Sequence, residues 1–301
     1  MPTPRKNSSG PARTAVQGTT RVVGILGNPV EHSLSPRMHN AAFAALGLDY
    51  VYVPFRTAPS DLRGVVRAMN TLGIVGFNVT VPYKQNVVKL VDRLTAAAAA
   101  IGAVNTIYRD GDEVVGDNTD AEGFGAALRS HGVKVRGARV LVIGAGGSAR
   151  AVLHTLCEGG AADVALANRT VGTATKLARE FQRGDKAKLV CATGLDALVD
   201  AALLKTRTLV VNCTPVGLKG SDFLAYDAAA TTLTCMHFDL AYTSGLTPFL
   251  KLAHAKKRPT LDGRHMLVHQ GAAAFRRFTS KKAPVNVMLE AVGVAAAPSR
   301  R

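Results

Sequence analysis

Lys84, in "GFNVTVPYKQ", and Asp120, in "GDNTD", are the two side chains here with the plainest capacity for chemistry. An ammonium can give a proton to an oxygen that is gaining charge, and a neighbouring carboxylate can orient that ammonium and stabilise its charge. Both stand among amides and hydroxyls: Asn78 and Thr80 precede the lysine, "GAVNT" supplies Asn105 and Thr106, and Asn118 precedes the aspartate. Pro82 is read as opening a helix with Lys84 in its first turn, where the helix dipole repels a cation, so the lysine is expected to have a task. Each residue alone has a local explanation too, Asn105 and Thr106 as turn residues and Asp120 as a helix N-cap.

A second polar cluster, "GNPVEHSLSPRMHN" (27–40), directly follows the apolar run "RVVGIL". Ser35 reads as an N-cap with Pro36 at the first helical position, which leaves Ser33 and the histidines His32 and His39 unexplained. Hydroxyls and backbone N–H groups at a helix start suit a carboxylate or a polyol. The third signal is "RVLVIGAGGSARA": an apolar strand runs into Gly144, Ala145, Gly146, Gly147, Ser148 and Ala149, with a helical pattern after it. Gly144 permits the tight turn, Gly146 lets backbone approach a pyrophosphate, and Ala149 is small enough for helix to pack on strand. The next strand ends in Asn168, Arg169 and Thr170, with no acid to accept from a ribose 2′-hydroxyl. Arg169 can pair with a 2′-phosphate, so the cofactor reads as NADP.

These residues fall at the ends of short apolar runs. Strands are predicted at 22–26, 50–55, 73–79, 104–108, 139–143, 163–167, 208–212 and 236–240, and helices between most of them, including 61–70, 120–130 and 148–158. The alternation predicts an α/β protein with parallel sheets, which bind ligands at the carboxyl ends of their strands. A second α/β start at Arg139 divides its 301 residues into two units. The chain is 47% hydrophobic and 19% charged, with no apolar run long enough to span a bilayer. Thirteen of the sixteen net positive charges lie in residues 1–21 and 251–301. No aromatic ladder accompanies them, so nucleic acid and membrane are not expected partners, whereas anionic small molecules are. The four cysteines are widely spaced and read as buried thiols of a cytoplasmic protein; no metal site is expected.

Taken in order, "GNPVEHSLSP", "NVTVPYK", "GAVNT", "DNTD", "GAGGSARA", "NRT", "NCTPVGL", "DLAY" with "TPFL", and "DGRHMLVHQGAAAF" closely resemble the shikimate/quinate dehydrogenase family over about residues 22–294. The resemblance implies two α/β units, an N-terminal substrate domain with a mostly parallel sheet (22–119) and a Rossmann-type NADP-binding domain (120–255). A disordered tail (1–21) would precede them, and C-terminal helices (256–301) would fold back onto the substrate domain. It implies NADP-dependent, reversible reduction of 3-dehydroshikimate to shikimate, on the route to chorismate and the aromatic amino acids, by a monomer or homodimer. Lys84 and Asp120 would be the catalytic pair; Ser33 and Ser35 would hold the substrate carboxylate. Thr80, Asn105, Asp120 and Gln270 would contact ring hydroxyls or carboxylate, and Tyr242 would line the site. Gly144–Ala149, Asn168–Thr170, Leu240 and Gly263 would contact NADP. The chain departs from the family pattern at Thr173, where a second basic residue is common although Lys176 lies one turn on, at Ala96, at "AYTSGLTP" and at Arg264. A quinate/shikimate enzyme of the same family is the alternative, and an NADP-binding sensor without catalysis a more distant one.

Overall fold

The computed structural model describes residues 16–182, 189–218 and 222–295, and the tail expected over 1–21 falls mostly outside them. The part of it that is described is tied down: Thr19 and Thr20 hydroxyls donate to the Asp49 carboxylate, and Arg21 already belongs to the first strand.

Two six-stranded sheets form the frame. The first contains β1 (Arg21–Gly27), β2 (Tyr50–Arg56), β3 (Gly76–Val79), β4 (Arg93–Leu94), β5 (Thr106–Asp110) and β6 (Glu113–Asp117), in the order β2-β1-β3-β5-β6-β4. It is mostly parallel, but β5 runs against both its neighbours. The reversal comes from a hairpin in which Asp110 pairs with Glu113 around Gly111, whose φ of 63° suits glycine. The second sheet contains β7 (Arg139–Ile143), β8 (Asp163–Ala167), β9 (Val190–Thr193), β10 (Leu209–Asn212), β11 (Met236–Asp239) and β12 (Thr260–Leu261). Its strands are all parallel in the order β12-β11-β10-β7-β8-β9, the doubly wound arrangement of a dinucleotide-binding fold. The strand predicted over 73–79 starts only at Gly76, because the chain is still closing a helix through Gly73, whose φ is 65°.

Helices cover both faces of each sheet. On the first, α1 (Ser35–Ala45) packs on one face and α2 (Leu62–Thr71) on the other, with α3 (Ala96–Ile101) beside it. On the second lie α5 (Gly147–Glu158), α6 (Val171–Phe181), α7 (Ala201–Leu204) and α8 (Pro248–Ala255). Between the sheets run α4 (Thr119–Ser130) and, returning from the far end of the chain, α9 (Gly263–Thr279); α10 (Val285–Ala291) follows and packs beside α1 on the first sheet. Val268, Phe275 and Phe278 of α9 and Met288 and Leu289 of α10 complete a core with Phe43 of α1 and Val23, Ile25 and Tyr52 of the first sheet. Arg277 fastens the return by donating to Asp117 at the end of β6 (2.8 Å), and Arg276 pairs with Glu122 of α4. Arg264, one of the departures, clamps Asp262 and the carbonyls of Val292 and Gly293, joining the start of α9 to the end of α10.

Two local expectations are corrected. Cys191 is exposed rather than buried, since it sits on β9, the edge strand of its sheet. Pro82 does not begin a helix: it follows a cis peptide, Lys84–Asn86 form a turn, and only a single 3-10 turn, Val87–Lys89, comes after.

Helices α4 and α9 come close together at Gly123, where a Cβ would lie 2.6 Å from the backbone nitrogen of Gln270. Gly123→Ala should therefore force the helices apart and cost about 1–3 kcal/mol, as overpacking does, read as a lower urea midpoint and melting temperature.

Candidate active site

The turn that carries Lys84 is fixed from two sides. Tyr83 is buried with its hydroxyl on the Thr57 carbonyl, and the Lys84 carbonyl accepts from Val104 N at 2.7 Å. The ammonium is thereby directed at Asp120, with Nζ 2.6 Å from Oδ2. Asp120 is not the N-cap of α4. That position belongs to Asn118, whose Oδ1 accepts from Asp120 N (3.1 Å) and whose Nδ2 donates to the Ala103 carbonyl (2.8 Å). Asp120 is thus in the first turn, where the helix dipole favours a carboxylate. Its other oxygen accepts from Asn105 Nδ2 at 2.7 Å, and that amide is oriented by Thr119 N, which donates 2.7 Å to Asn105 Oδ1. Gln270 Oε1 lies 3.3 Å from Asn105 Nδ2, with its own Nε2 donating to the Leu267 carbonyl.

The cap at the serine cluster is also shifted. α1 starts at Ser35 with Leu34 as N-cap and Pro36 at the second helical position, and no side chain caps at Leu34. The capping-type bond is made by Ser33, whose Oγ accepts from Ser35 N at 3.2 Å, so the stability role expected of Ser35 falls to Ser33. His32 is exposed. His39 is wholly buried, stacked on Tyr52 with centroids 4.4 Å apart, and burial lowers its pKa to about 3, so it is a neutral packing residue.

Lys84, Asp120, Asn105, Thr80, Ser33, Ser35, Tyr242 and Gln270 all line one cleft of about 180 Å³, together with Ser148, Leu240 and Gly263. Sequence reasoning did not single out the apolar lining, Ile25, Val79, Met266 and Leu267, or the buried Thr119 and Tyr52 behind it. The apolar ones carry no signal beyond strand and helix periodicity. Of the remaining residues of the dinucleotide motif, Gly144–Gly146 form the turn between β7 and α5, and Gly147 and Ala149 stand in the first turn of α5. Gly144 has a φ of 101°, and a Cβ there would meet Thr214 at 2.7 Å; a Cβ on Gly146 would meet nothing within 4 Å. That open space above the N-terminus of α5 fits a pyrophosphate. A Cβ on Gly147 would lie 3.5 Å from Lys84 Cδ, so the helix start and the lysine are neighbours. Asn168, Arg169 and Thr170 stand at the end of β8, Arg169 exposed and Thr170 as N-cap of α6, with Thr173 and Lys176 exposed on that helix. Gly263 allows α9 to begin against the Leu240 carbonyl, which a Cβ would approach to 2.4 Å. Among the described residues there is no group of three or more potential metal ligands, and no helix is long and apolar enough to cross a membrane.

Three family models match the chain: the shikimate dehydrogenase substrate binding domain over 25–107, shikimate/quinate 5-dehydrogenase over 126–208, and the shikimate 5′-dehydrogenase C-terminal domain over 263–292. An NADP(+) shikimate dehydrogenase of Geobacter metallireducens is 42% identical, the match covering 91% of this chain and 96% of that one. The chain belongs to the shikimate dehydrogenase family. A second relative, the NADP(+) shikimate dehydrogenase of Methanopyrus kandleri, is 44% identical over 92% of this chain and 97% of its own. The crystal structure of a shikimate dehydrogenase in complex with NADP+ superposes with a TM-score of 0.87 at 37% identity, covering 94% of this chain and 98% of that one.

One family segment, "DLAY", has an electrostatic feature of its own. Asp239, fully buried at the end of β11, accepts from Thr247 Oγ1, from Asn212 Nδ2 (2.9 Å) and from Ala241 N (3.0 Å), fixing the loop that carries Leu240 and Tyr242. Burial outweighs those donors and raises its pKa from 3.8 to about 6. The native state then holds a proton that the unfolded chain has released. The group's contribution to stability is fully present below pH 3.8 and is lost as pH rises through about 6. The loss is on the order of 3 kcal/mol at most for a two-unit shift. Urea midpoints between pH 4 and pH 7 should fall more steeply with pH for the unaltered protein than for Asp239→Asn, and parallel slopes would exclude this coupling.

Proposed function

We propose that this chain is an NADP-dependent shikimate dehydrogenase that reversibly reduces 3-dehydroshikimate to shikimate, with Lys84 and Asp120 as its catalytic pair. The observation that carries the reading is the Lys84–Asp120 pair itself, 2.6 Å apart and largely buried in a cleft beside the N-terminus of α5. The names of the relatives support substrate and cofactor alike.

The division of labour follows the sheets. Residues 22–119 form the substrate unit, 120–255 the NADP unit, and the helices of 256–301 return to the first. Ser33 and Ser35 hold the substrate carboxylate, while Thr80, Asn105, Asp120 and Gln270 fix the ring hydroxyls and Tyr242 closes the side of the cleft. Gly144–Ala149 would hold the pyrophosphate of NADP, Arg169 with Asn168 and Thr170 would pair with its 2′-phosphate, and Leu240 and Gly263 would border its nicotinamide end. NADPH, when bound, supplies the hydride for C3. Lys84 gives its proton to the C3 oxygen as charge develops there, and Asp120 keeps the ammonium aimed and accepts from the neighbouring hydroxyl. In the oxidative direction the same pair takes the proton back. The absence of an acid at the end of β8 supports NADP over NAD, because a carboxylate there would repel the 2′-phosphate. The reading includes a cytoplasmic monomer or homodimer.

A turnover assay with shikimate or quinate, each against NADP+ or NAD+, tests it. Shikimate with NADP+ should be strongly preferred, and Arg169→Asp should weaken NADP+ most; a preference for quinate or for NAD+ overturns the assignment. Lys84→Ala should lose turnover by about 10²–10⁴, the usual scale of general acid catalysis, and far more than it loses shikimate binding. Asp120→Asn should lower turnover in a folded protein. The double variant should be little worse than the worse single, since the two act as a unit. Near-normal turnover in folded Lys84→Ala, or losses that multiply, would rule out the pair.

A further inference from the structure

A line of buried hydrogen bonds leads away from the catalytic pair, through the floor of the first sheet, to a strand at its edge. Tyr52 of β2 is 1% exposed, and its hydroxyl donates to Asn78 Oδ1 at 2.8 Å. Asn78 Nδ2 donates to Thr106 Oγ1 at 3.0 Å. The Thr106 hydroxyl lies 3.0 Å from Asn105 Oδ1, with the Thr119 hydroxyl at 3.1 Å as a side branch. Asn105 Nδ2 then donates to Asp120 Oδ1, and Asp120 Oδ2 takes the Lys84 ammonium.

Every donor in the line faces the same way. The Asn78 oxygen is taken up by Tyr52, so its NH₂ turns to Thr106. The Thr106 oxygen accepts from that NH₂, so its single proton turns to Asn105. The oxygen of Asn105 is then held on the side away from Asp120 and its NH₂ meets the carboxylate. A reversed Asn105 would set an amide oxygen against a carboxylate oxygen, which repel. Hydrogen bonds aligned head to tail in a site of low dielectric also polarise one another toward the terminal charge.

We infer that Tyr52 and Thr106 are positioning residues of the reaction, acting through Asn78 and Asn105 to keep Asp120 aimed at Lys84; this rests on the assignment of the catalytic pair above. The far end of the line is firmly placed. Asn40 of α1 accepts from the Tyr52 backbone nitrogen (2.8 Å) and donates to its carbonyl (2.9 Å), serving the unpaired side of an edge strand. His39 stacks flat on the Tyr52 ring, 5° from parallel. Burial raises the Tyr52 pKa well above its ordinary value, so the hydroxyl remains a donor across the working range of pH.

The test uses Tyr52→Phe, Thr106→Val, their combination, and Thr106→Ser, with melting temperatures and steady-state shikimate oxidation by NADP+. Thr106→Val, nearer the carboxylate, should lower kcat on the order of 10-fold and Tyr52→Phe about threefold, the scale of one hydrogen bond, with the KM for NADP+ unchanged. Thr106→Ser keeps the hydroxyl and should recover turnover to within about twofold of the unaltered protein. Links in series fail once: the double variant should match Thr106→Val alone. Losses that multiply in the double variant, a Thr106→Ser protein as slow as Thr106→Val, or kcat unchanged in both single variants would overturn the inference while leaving the catalytic assignment standing. An unaltered protein that does not oxidise shikimate overturns both.

Discussion

A carboxylate withdrawn from bulk water has to find partners for both oxygens, and Asp120 imposes that requirement on everything around it. One oxygen takes Lys84, the other takes Asn105, and the backbone N–H of the same residue is capped by Asn118. Those partners come from segments that follow β3, precede β5 and follow β6. They share one edge of the sheet only because β5 runs in reverse, which puts its beginning beside the ends of the other two. With β5 parallel, Asn105 would stand at the opposite edge, and the aspartate would be left with one unmatched oxygen.

That reversal was the least legible part of the sequence. Alternation of apolar runs with helical patterns reveals four strands of the second sheet, β7, β8, β10 and β11, but not its short edge strands β9 and β12, and each position of its glycine-rich turn has a specific physical purpose. In the first sheet the same alternation implies parallel strands throughout, and β6 and β4 were not anticipated. The Gly111 loop between Asp110 and Glu113 was the available signal. Helix caps were legible to within two residues, but that distance decides which side chain is consumed by the backbone: Ser33 rather than Ser35 meets a backbone N–H, and Asn118 rather than Asp120. Ser35 and Asp120, freed from capping, both line the cleft. Tyr52 carried no signal at all, since an aromatic residue on a strand satisfies ordinary β propensity and its role exists only through a contact with Asn78.

The two sheets meet at their chemically active edges. The strand ends of the first bring amides, hydroxyls and the ion pair; those of the second bring a helix N-terminus, an acid-free ribose position and the loop after β11. Gly147 stands against Lys84 where the two contributions meet. The position tolerates a small residue in ordinary van der Waals contact, whereas a bulky one would displace the lysine. The fit of the dinucleotide loop and the aim of the proton donor are therefore set by the same few atoms.

The return of α9 and α10 also has a bearing on how the protein is made. One face of the first sheet, Val23 and Ile25 with Tyr52, is covered by Phe275, Phe278, Met288 and Leu289, separated from it by the entire second sheet. A ribosome releases the first strands early and those helices late, so this apolar face waits with only α1 upon it while some two hundred further residues emerge. The Rossmann half, whose core is built almost wholly from its own consecutive segments, can close in the meantime. The half that begins first is finished last, and a nascent chain halted before α9 would hold a nucleotide fold joined to an open, adhesive sheet with no completed cleft.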